Sequence, residues 1–124
     1  MKEFKYNRAE TFEEAGEILK SNPHACCMAG GTDLLGTIKS EILDETPEVI
    51  VDLKRIPDSS GIKAESDRIQ IGAMTTLTEI AESEVVNEKA PMIAQAAHSV
   101  ATPLVRNKGT IGGNLCQDVR CWFY

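Results

Sequence analysis

Two pairs of adjacent glycines are the residues of this sequence best suited to chemistry. Gly30 and Gly31 follow a short apolar run and precede Thr32, Asp33 and a helical pattern. Glycine tolerates conformations that point successive N–H groups into one concavity, and a helix N-terminus adds partial positive charge. The pattern therefore fits an anion-binding turn, although a plain tight connection between a strand and a helix has the same residues. It is neither a P-loop nor GxGxxG.

The second pair, Gly112 and Gly113, lies in a segment predicted to be a glycine-rich loop, residues 106–114. Two cations, a hydroxyl and an amide accompany the pair there, from Arg106, Lys108, Thr110 and Asn114. Two such loops would suit a diphosphate shared between them and held mainly by backbone amides. Two structural turns are the alternative interpretation.

No catalytic acid, base or nucleophile stands out. His24 and His98 have no partner nearby in the sequence, and a structural role is expected for His98 beside an apolar stripe. Cys26 and Cys27 are adjacent, so in a strand they point to opposite faces, and we predict two small core residues rather than metal ligands. A reducing cytosol also disfavours disulfides.

Predicted strands and helices alternate along the chain around the first glycine pair. Strands are predicted at residues 4–6, 25–29 and 49–53, and helices at residues 11–20 and 34–40. The apolar run at 25–29 is typical of a strand buried on both faces. The first helix starts at a capping box, and its predicted buried stripe comprises Phe12, Ala15, Ile18 and Leu19. The alternation predicts a small parallel sheet with helices across it.

The pattern changes after Pro57. Alternating apolar and polar residues predict an antiparallel hairpin of residues 62–65 and 68–72. A second capping box at Thr76 predicts a short helix, and Pro91 suits the first turn of another, which Pro103 ends. The predicted buried stripe of that last helix comprises Ile93, Ala96, Ala97 and Val100.

Length, composition and charge limit the possible functions. The 124 residues suit one domain, and 42% hydrophobic with 26% charged residues is ordinary for a globular chain. The net charge of −6 argues against nucleic acid or an anionic membrane surface as main partner. No apolar run is long enough for membrane insertion, and the start lacks a signal-peptide core, so we expect a cytoplasmic protein.

Three segments carry a family resemblance: AGGTDLL at 29–35, IGAMTTLTEIAES at 71–83 and RNKGTIGGNLCQD at 106–118. Together, in this order, they resemble the FAD-binding subunit of the molybdenum hydroxylases. That family includes flavin domains of xanthine dehydrogenase, the medium subunit of aerobic carbon monoxide dehydrogenase and the beta subunit of 4-hydroxybenzoyl-CoA reductase. The resemblance extends over almost the whole chain.

The resemblance implies a fold and a cofactor site. The fold is α+β, a truncated PCMH-type FAD-binding fold: residues 1–57 form a parallel three-stranded lobe, and residues 58–124 begin an antiparallel-sheet lobe that is incomplete. FAD would extend in the cleft between them. The implied cofactor-binding residues are Ala29, Gly30, Gly31, Thr32 and Asp33 in the first segment, with Thr76, Asn107, Thr110, Gly112, Gly113 and Asn114 beyond it.

The function that the resemblance implies is electron relay in a multi-subunit oxidoreductase. FAD would pass electrons between iron–sulfur centres and NAD or ferredoxin, beside a molybdopterin-binding subunit and a 2Fe-2S subunit. No residue of this chain is expected to be catalytic, and the fragment alone is expected to be inactive. The alternative is a truncated, non-enzymatic assembly or interaction module that keeps the fold but not FAD binding.

The tail, NLCQDVRCWFY, resembles the 4-hydroxybenzoyl-CoA reductase type, whose inserted loop binds an additional 4Fe-4S cluster. That likeness implies Cys121, or else Cys116, as a first cluster ligand. Two thiols without metal are the alternative. Family members are more than twice as long, so we expect weak FAD binding and self-association, to which the apolar surfaces of Trp122, Phe123 and Tyr124 add.

Overall fold

A central buried strand organises the first half of the chain. The computed structural model describes residues 2–43 and 45–119. Within them β1 (Lys5–Arg8), β2 (Ala25–Met28) and β3 (Val49–Asp52) form a parallel sheet in the order β1-β3-β2. Every residue of β3 is buried, as expected for the middle strand of a covered parallel sheet. The predicted three-stranded parallel lobe is confirmed.

The two faces of this sheet are covered by α1 (Phe12–Ser21) and α2 (Leu34–Lys39). The helix α1 packs Ala15 beside Val49 and Val51, and α2 packs Ile38 beside Ile50 on the opposite face. The N-cap of α1 has the predicted Thr11 hydroxyl, which accepts the N–H of Glu14. Phe12 does not join the buried stripe as predicted, because α1 meets the sheet after its first turn and leaves this side chain 52% exposed.

The strand β2 differs from its prediction. We expected a strand buried on both faces, but β2 lies at the edge of the sheet and β3 takes the central place. Cys26 is half-buried against the cluster around Met28 and Ile38, whereas Cys27 is exposed. The prediction of two core cysteines is therefore wrong for Cys27, because an edge strand lacks the neighbour that would cover it.

The second half begins with the predicted hairpin, β4 (Ile62–Ala64) paired antiparallel with β5 (Ile69–Ile71). Three helices follow: α3 (Leu77–Glu82), α4 (Glu84–Lys89) and α5 (Pro91–Ser99). The capping box at Thr76 is present, with the Thr76 N–H bonded to the Glu79 carboxylate at 2.7 Å. The helix α4 was not predicted. The buried side chains of these helices form one cluster of Leu77, Ile80, Val86, Ala94 and Ala97.

The buried face of α5 is rotated from the predicted one. Ala94 and Ala97 are buried, whereas Ile93 and Ala96 are exposed and Val100 is partly buried. Small side chains allow α3 and α4 to approach α5 closely on the alanine side, and this packing decides which stripe is buried. The predicted stripe at Ile93 and Ala96 is therefore wrong.

The segment predicted as a glycine-rich loop, residues 106–114, begins at the last residue of a short helix, α6 (Pro103–Arg106), and includes most of another, α7 (Ile111–Leu115). Thr110 is the N-cap of α7, and its hydroxyl accepts the N–H of Gly113 at 3.2 Å. Tertiary contacts offset the low helix propensity of the glycines here.

In residues 2–43 and 45–119, no helix has both the length and the apolar character needed to cross a membrane.

Candidate functional site

The two glycine segments lie against each other. A Cβ on Gly30 would overlap the carbonyl group of Lys108, and a Cβ on Gly113 would lie 3.5 Å from the Cβ of Ala29. A Cβ on Gly109 would similarly lie 3.5 Å from the hydroxyl oxygen of Thr32. The fold therefore brings together two segments that are far apart in the sequence, and glycine at position 30 is what permits their close approach.

A third segment, residues 73–77, holds the second glycine segment in place. The Leu77 N–H donates to the carbonyl of Gly109 at 2.9 Å, and the Ile111 N–H donates to that of Thr75 at 2.9 Å. An isolated bridge pairs Thr76 with Thr110 between them. This is the segment that carried the middle part of the family resemblance, and its structural role is to position residues 109–112.

The backbone amides of the second glycine segment are engaged within the chain. The Gly112 N–H donates to the carbonyl of Ala73 at 2.8 Å, and the Asn114 N–H donates to that of Thr110 at 2.9 Å. The Gly113 N–H is bonded to the Thr110 hydroxyl, as described above. The sequence pattern suggested amides open to a ligand here, but these glycines instead allow close packing of α7.

The first glycine segment is different. In the part of the chain that the structure describes, no protein acceptor is found for the backbone N–H groups of Gly30, Gly31 and Thr32. Gly31 has φ +75°, a conformation that favours glycine, and its carbonyl accepts the Leu35 N–H at 3.3 Å. Asp33 is the N-cap of α2. This turn keeps the capacity to donate hydrogen bonds to an anion.

A cleft of about 500 Å³ opens beside this turn, between the parallel-sheet lobe and the second half of the chain. Its lining residues are Gly30, Lys54, Ile56, Ser59, Ser60, Met74, Thr76, Asn107, Lys108 and Thr110. Four of the predicted site residues are among them: Gly30, Thr76, Asn107 and Thr110.

The other predicted residues surround the cleft without lining it. Ala29, Gly31, Thr32 and Asp33 continue the Gly30 turn, while Gly112, Gly113 and Asn114 belong to α7 behind Thr110. Several of the lining side chains are already bonded within the chain, Thr76 and Asn107 among them. The Thr76 hydroxyl is 2.7 Å from the Glu79 carboxylate, and the Asn107 side-chain oxygen accepts the Thr78 hydroxyl at 2.7 Å.

Basic side chains line the cleft of a chain whose net charge is negative. The ionisable side chains among the lining residues are Lys54 and Lys108, and no carboxylate of the described residues is among them, although the whole chain carries −6. Lys54 was missed by sequence reasoning, as were Ser59 and Ser60. The available signal was the position of Lys54 just after a parallel strand, because ligands of α/β sheets bind at the carboxyl ends of strands.

A buried carboxylate lies beside Lys54, one of the residues that line the cleft. Asp52, 5% exposed at the end of β3, accepts hydrogen bonds from the Tyr6 hydroxyl and the Lys54 N–H. Burial raises the pKa of this carboxyl group, but the bond from Tyr6 and the bonds and charge of Lys54 outweigh it and hold the pKa below its ordinary value. Asp52 is therefore ionised at neutral pH.

The remaining candidates for chemistry do not join the cleft. Burial, with a neighbouring thiol in each case, raises the pKa of Cys26 and of Cys27, so neither is an activated nucleophile. Within residues 2–43 and 45–119 no three His, Cys, Asp or Glu side chains converge as a metal site. Cys121 lies outside the described residues, together with Trp122, Phe123 and Tyr124.

The two histidines lie elsewhere on the surface. The Nδ1 of His24 lies 3.2 Å from the carboxylate of Glu45, a residue that is distant from His24 in the sequence. His98 is exposed on α5, next to the buried Ala97. Neither lines the cleft.

Comparison with known proteins points to one family. The family model described as "FAD binding domain in molybdopterin dehydrogenase" matches residues 2–120. The carbon monoxide dehydrogenase medium chain of Hydrogenophaga pseudoflava is 37% identical over 113 residues, covering 90% of this chain and 39% of that protein. The xanthine dehydrogenase FAD-binding subunit of Escherichia coli O157:H7 is 38% identical over 112 residues, covering 90% and 38%.

Solved structures give the same result. Carbon monoxide dehydrogenase from Hydrogenophaga pseudoflava superposes with a TM-score of 0.86 at 36% identity, covering 92% of this chain and 39% of that one. Quinoline 2-oxidoreductase from Pseudomonas putida 86 superposes with a TM-score of 0.84 at 29% identity, covering 93% and 40%. The chain spans about two fifths of the length of these relatives.

Proposed function

The chain belongs to the family of FAD-binding domains in molybdopterin dehydrogenases, and from this premise we propose that it binds FAD in the cleft between its two glycine segments. The observation that carries the proposal is the contact of Gly30 with the backbone of Lys108, which joins the two segments at the wall of the cleft. The identity of 38% with a xanthine dehydrogenase FAD-binding subunit supports the same cofactor.

The donors at the cleft fit the diphosphate of this cofactor. The turn at Gly30, Gly31 and Thr32 offers N–H groups, and Lys54 and Lys108 offer positive charge, which are the groups that bind phosphoryl oxygens in proteins. We propose that the Ala29–Asp33 residues hold the diphosphate and that Thr76, Asn107 and Thr110 contact the cofactor from the other wall. In this proposal Gly112, Gly113 and Asn114 act through the packing of α7.

The reaction proposed for the complete complex is electron relay. FAD, when bound, exchanges electrons singly with iron–sulfur centres and in pairs with a nicotinamide. The residues of this chain bind and orient the cofactor, and no side chain of the cleft is required to donate or accept a proton. We propose a molybdopterin subunit and a 2Fe-2S subunit as partners, NAD or ferredoxin as external partner, and the cytoplasm as location.

A second candidate is a module that keeps the fold and lacks the cofactor. It is favoured by the amides of Gly112 and Gly113, which are bonded within the chain rather than open to a ligand. Such a module would contact the other subunits without carrying electrons.

Titration of the chain with FAD separates the two candidates. We expect saturable quenching of flavin fluorescence, weakened when Asn107 in the cleft is replaced by Ala. Asn7→Ala is the matched control, because Asn7 is an exposed amide on β1 outside the cleft. A folded chain, by circular dichroism, that leaves flavin fluorescence unchanged would support the module instead.

A further inference from the structure

The carboxyl end of β3 places a lysine in the wall of the cleft. Asp52 is the last residue of this strand, and its carboxylate accepts the backbone N–H of Lys54 at 3.0 Å. The ammonium group of the same lysine lies 3.4 Å from the same carboxylate oxygen. The buried carboxylate of Asp52 thus holds Lys54 both at its backbone N–H and at its ammonium group.

The hydroxyl of Tyr6, from β1, bonds the second oxygen of Asp52. With both of its oxygens occupied, the carboxylate has a fixed orientation, and so does the lysine that it holds. A free lysine side chain loses up to about 2 kcal/mol of conformational entropy when it is ordered by a ligand. Part of that ordering has already taken place here, while the Lys54 side chain remains 46% exposed and able to reach a ligand.

The opposite wall carries the second cation. Lys108 belongs to the second half of the chain and lines the cleft, and its carbonyl lies against the Gly30 turn of the first half. The lining residues include these two lysines and no described acidic residue, although the carboxylates of Asp52 and Glu79 lie against the lining residues Lys54 and Thr76. The two ammonium groups are therefore the cationic groups that the cleft can offer to a phosphoryl group.

We infer that Lys54, positioned by Asp52, binds a phosphoryl group of the flavin nucleotide from the side opposite Lys108. The inference rests on the proposed function and deepens it, because it assigns a binding role to a residue outside the glycine segments and the family motifs. Lys54 then discriminates phosphorylated flavins from riboflavin, and Asp52 is a positioning residue that does not touch the ligand.

The test measures binding of FAD, FMN and riboflavin to the full chain by flavin fluorescence. Lys54→Met is expected to weaken FAD binding about tenfold, the equivalent of about 1.4 kcal/mol, and to leave riboflavin binding unchanged. Salt should weaken FAD binding to the native chain more than to the variant. Lys63→Met is the matched control, because Lys63 is an exposed lysine on β4 outside the cleft.

Asp52→Asn tests the positioning role. The variant is expected to weaken FAD and FMN binding and to leave riboflavin binding unchanged, whereas a purely structural loss would weaken all three. Lys54→Arg, which keeps the charge, should restore most of the FAD affinity lost in Lys54→Met. Lys54 is exposed, so both of its variants are expected to fold, as circular dichroism will check.

The outcomes are distinct. If the native chain binds FAD and Lys54→Met binds it equally well, the inference is wrong and the proposed function stands. If the native chain binds no FAD, both fail together. Tenfold weaker FAD binding in Lys54→Met alone, with Lys63→Met unchanged, establishes the phosphoryl contact.

Discussion

A Cβ placed on Gly30 would overlap the carbonyl group of Lys108. A Cβ placed on Gly16 in α1 would meet no atom within 4 Å beyond the backbone of its own helix. Both residues are glycines, yet only the first one is required by its surroundings. The difference gives a direct test of the contact between the two glycine segments.

Replacement of Gly30 by Ala is expected to destabilise the chain by about 2 kcal/mol or more, because the new Cβ meets backbone that cannot rotate away. Gly16→Ala is the matched control, and we expect it to stabilise by about 0.5–1 kcal/mol through helix propensity. Chemical denaturation measures both. Equal stabilities for the two variants would contradict the close approach of Gly30 to Lys108.

The ionisation of Asp52 makes the free energy of unfolding depend on pH in the acid range. Its pKa in the folded protein lies below the ordinary value of 3.8, so the unfolded chain binds the proton more readily. The stabilisation that ionised Asp52 contributes is fully present above pH 3.8, and it is lost as the pH falls through the pKa of Asp52 in the folded protein.

Tyr6→Phe removes one hydrogen bond to the ionised Asp52. We expect a loss of about 1 kcal/mol at pH 7, since the Tyr6 ring is partly exposed, and a smaller loss at an acid pH low enough to protonate the carboxyl group. Urea denaturation at both pH values measures the difference. Asp67→Asn, in the exposed hairpin turn, is the control, and a Tyr6→Phe loss that is the same at both pH values would exclude the linkage.

Among the elements, the segment 73–77 depends on a buried hydroxyl. The Thr75 side chain is fully buried, accepts the Gly61 N–H at 2.8 Å and donates to the Gly61 carbonyl at 3.1 Å. This pair of bonds ties the start of the hairpin to the segment that positions the second glycine segment.

Thr75→Val keeps the shape but removes both hydrogen bonds of this hydroxyl, so the Gly61 N–H loses its acceptor while the Gly61 carbonyl keeps only the Gly72 N–H. The expected loss of stability is about 2 kcal/mol. Thr102→Val is the matched control, because Thr102 is exposed and its side chain makes no capping bond, and its effect should stay within about 0.5 kcal/mol. Thermal unfolding compares them, and a Thr75→Val variant as stable as the control would contradict the role given to this hydroxyl.

Short sequence patterns predicted the helices and strands whose formation depends on residues close together in the sequence. The capping boxes at Thr11 and Thr76 and the alternation in the hairpin identified α1, α3 and the β4–β5 pair. The edge position of β2 and the buried face of α5 were missed, because both depend on which element covers them. The helix α7 was missed because contacts with Ala73 offset its glycines, and such contacts are invisible in the sequence.

At the scale of the whole molecule, large apolar side chains remain on the surface of the second half. Met92 and Leu104 are each 81% exposed, and Leu115 is 77% exposed. Exposed apolar residues in this number favour association. Self-association therefore stays a prediction, now supported by residues within the described part of the chain.

Substitution of Leu104 and Leu115 together by Gln is expected to shift the chain towards monomer, because less apolar surface is buried on association. Light scattering coupled to size exclusion, over a range of concentrations, measures the average mass. The control is Ile42→Gln, which removes an exposed apolar side chain from the first half, 53% exposed. A native chain that is monomeric at every concentration would contradict the prediction.

The cleft was predictable in part. The two glycine segments were identified from their residue types, whereas Thr76 and Asn107 were assigned to the site through the family resemblance. Ser59 and Ser60 were not found, because a serine in a turn resembles any other surface residue until the fold places it against a cavity, and the one signal for Lys54 was its place after a parallel strand.

The contact between Gly30 and Lys108 also sets an order of events during synthesis. The parallel sheet needs only the chain up to Asp52, so it can form while the ribosome is still translating the second half. The wall of the cleft opposite the Gly30 turn does not exist until Thr110 has left the exit tunnel. A nascent chain halted before that point would therefore carry a folded sheet that has no second wall with which to enclose a nucleotide.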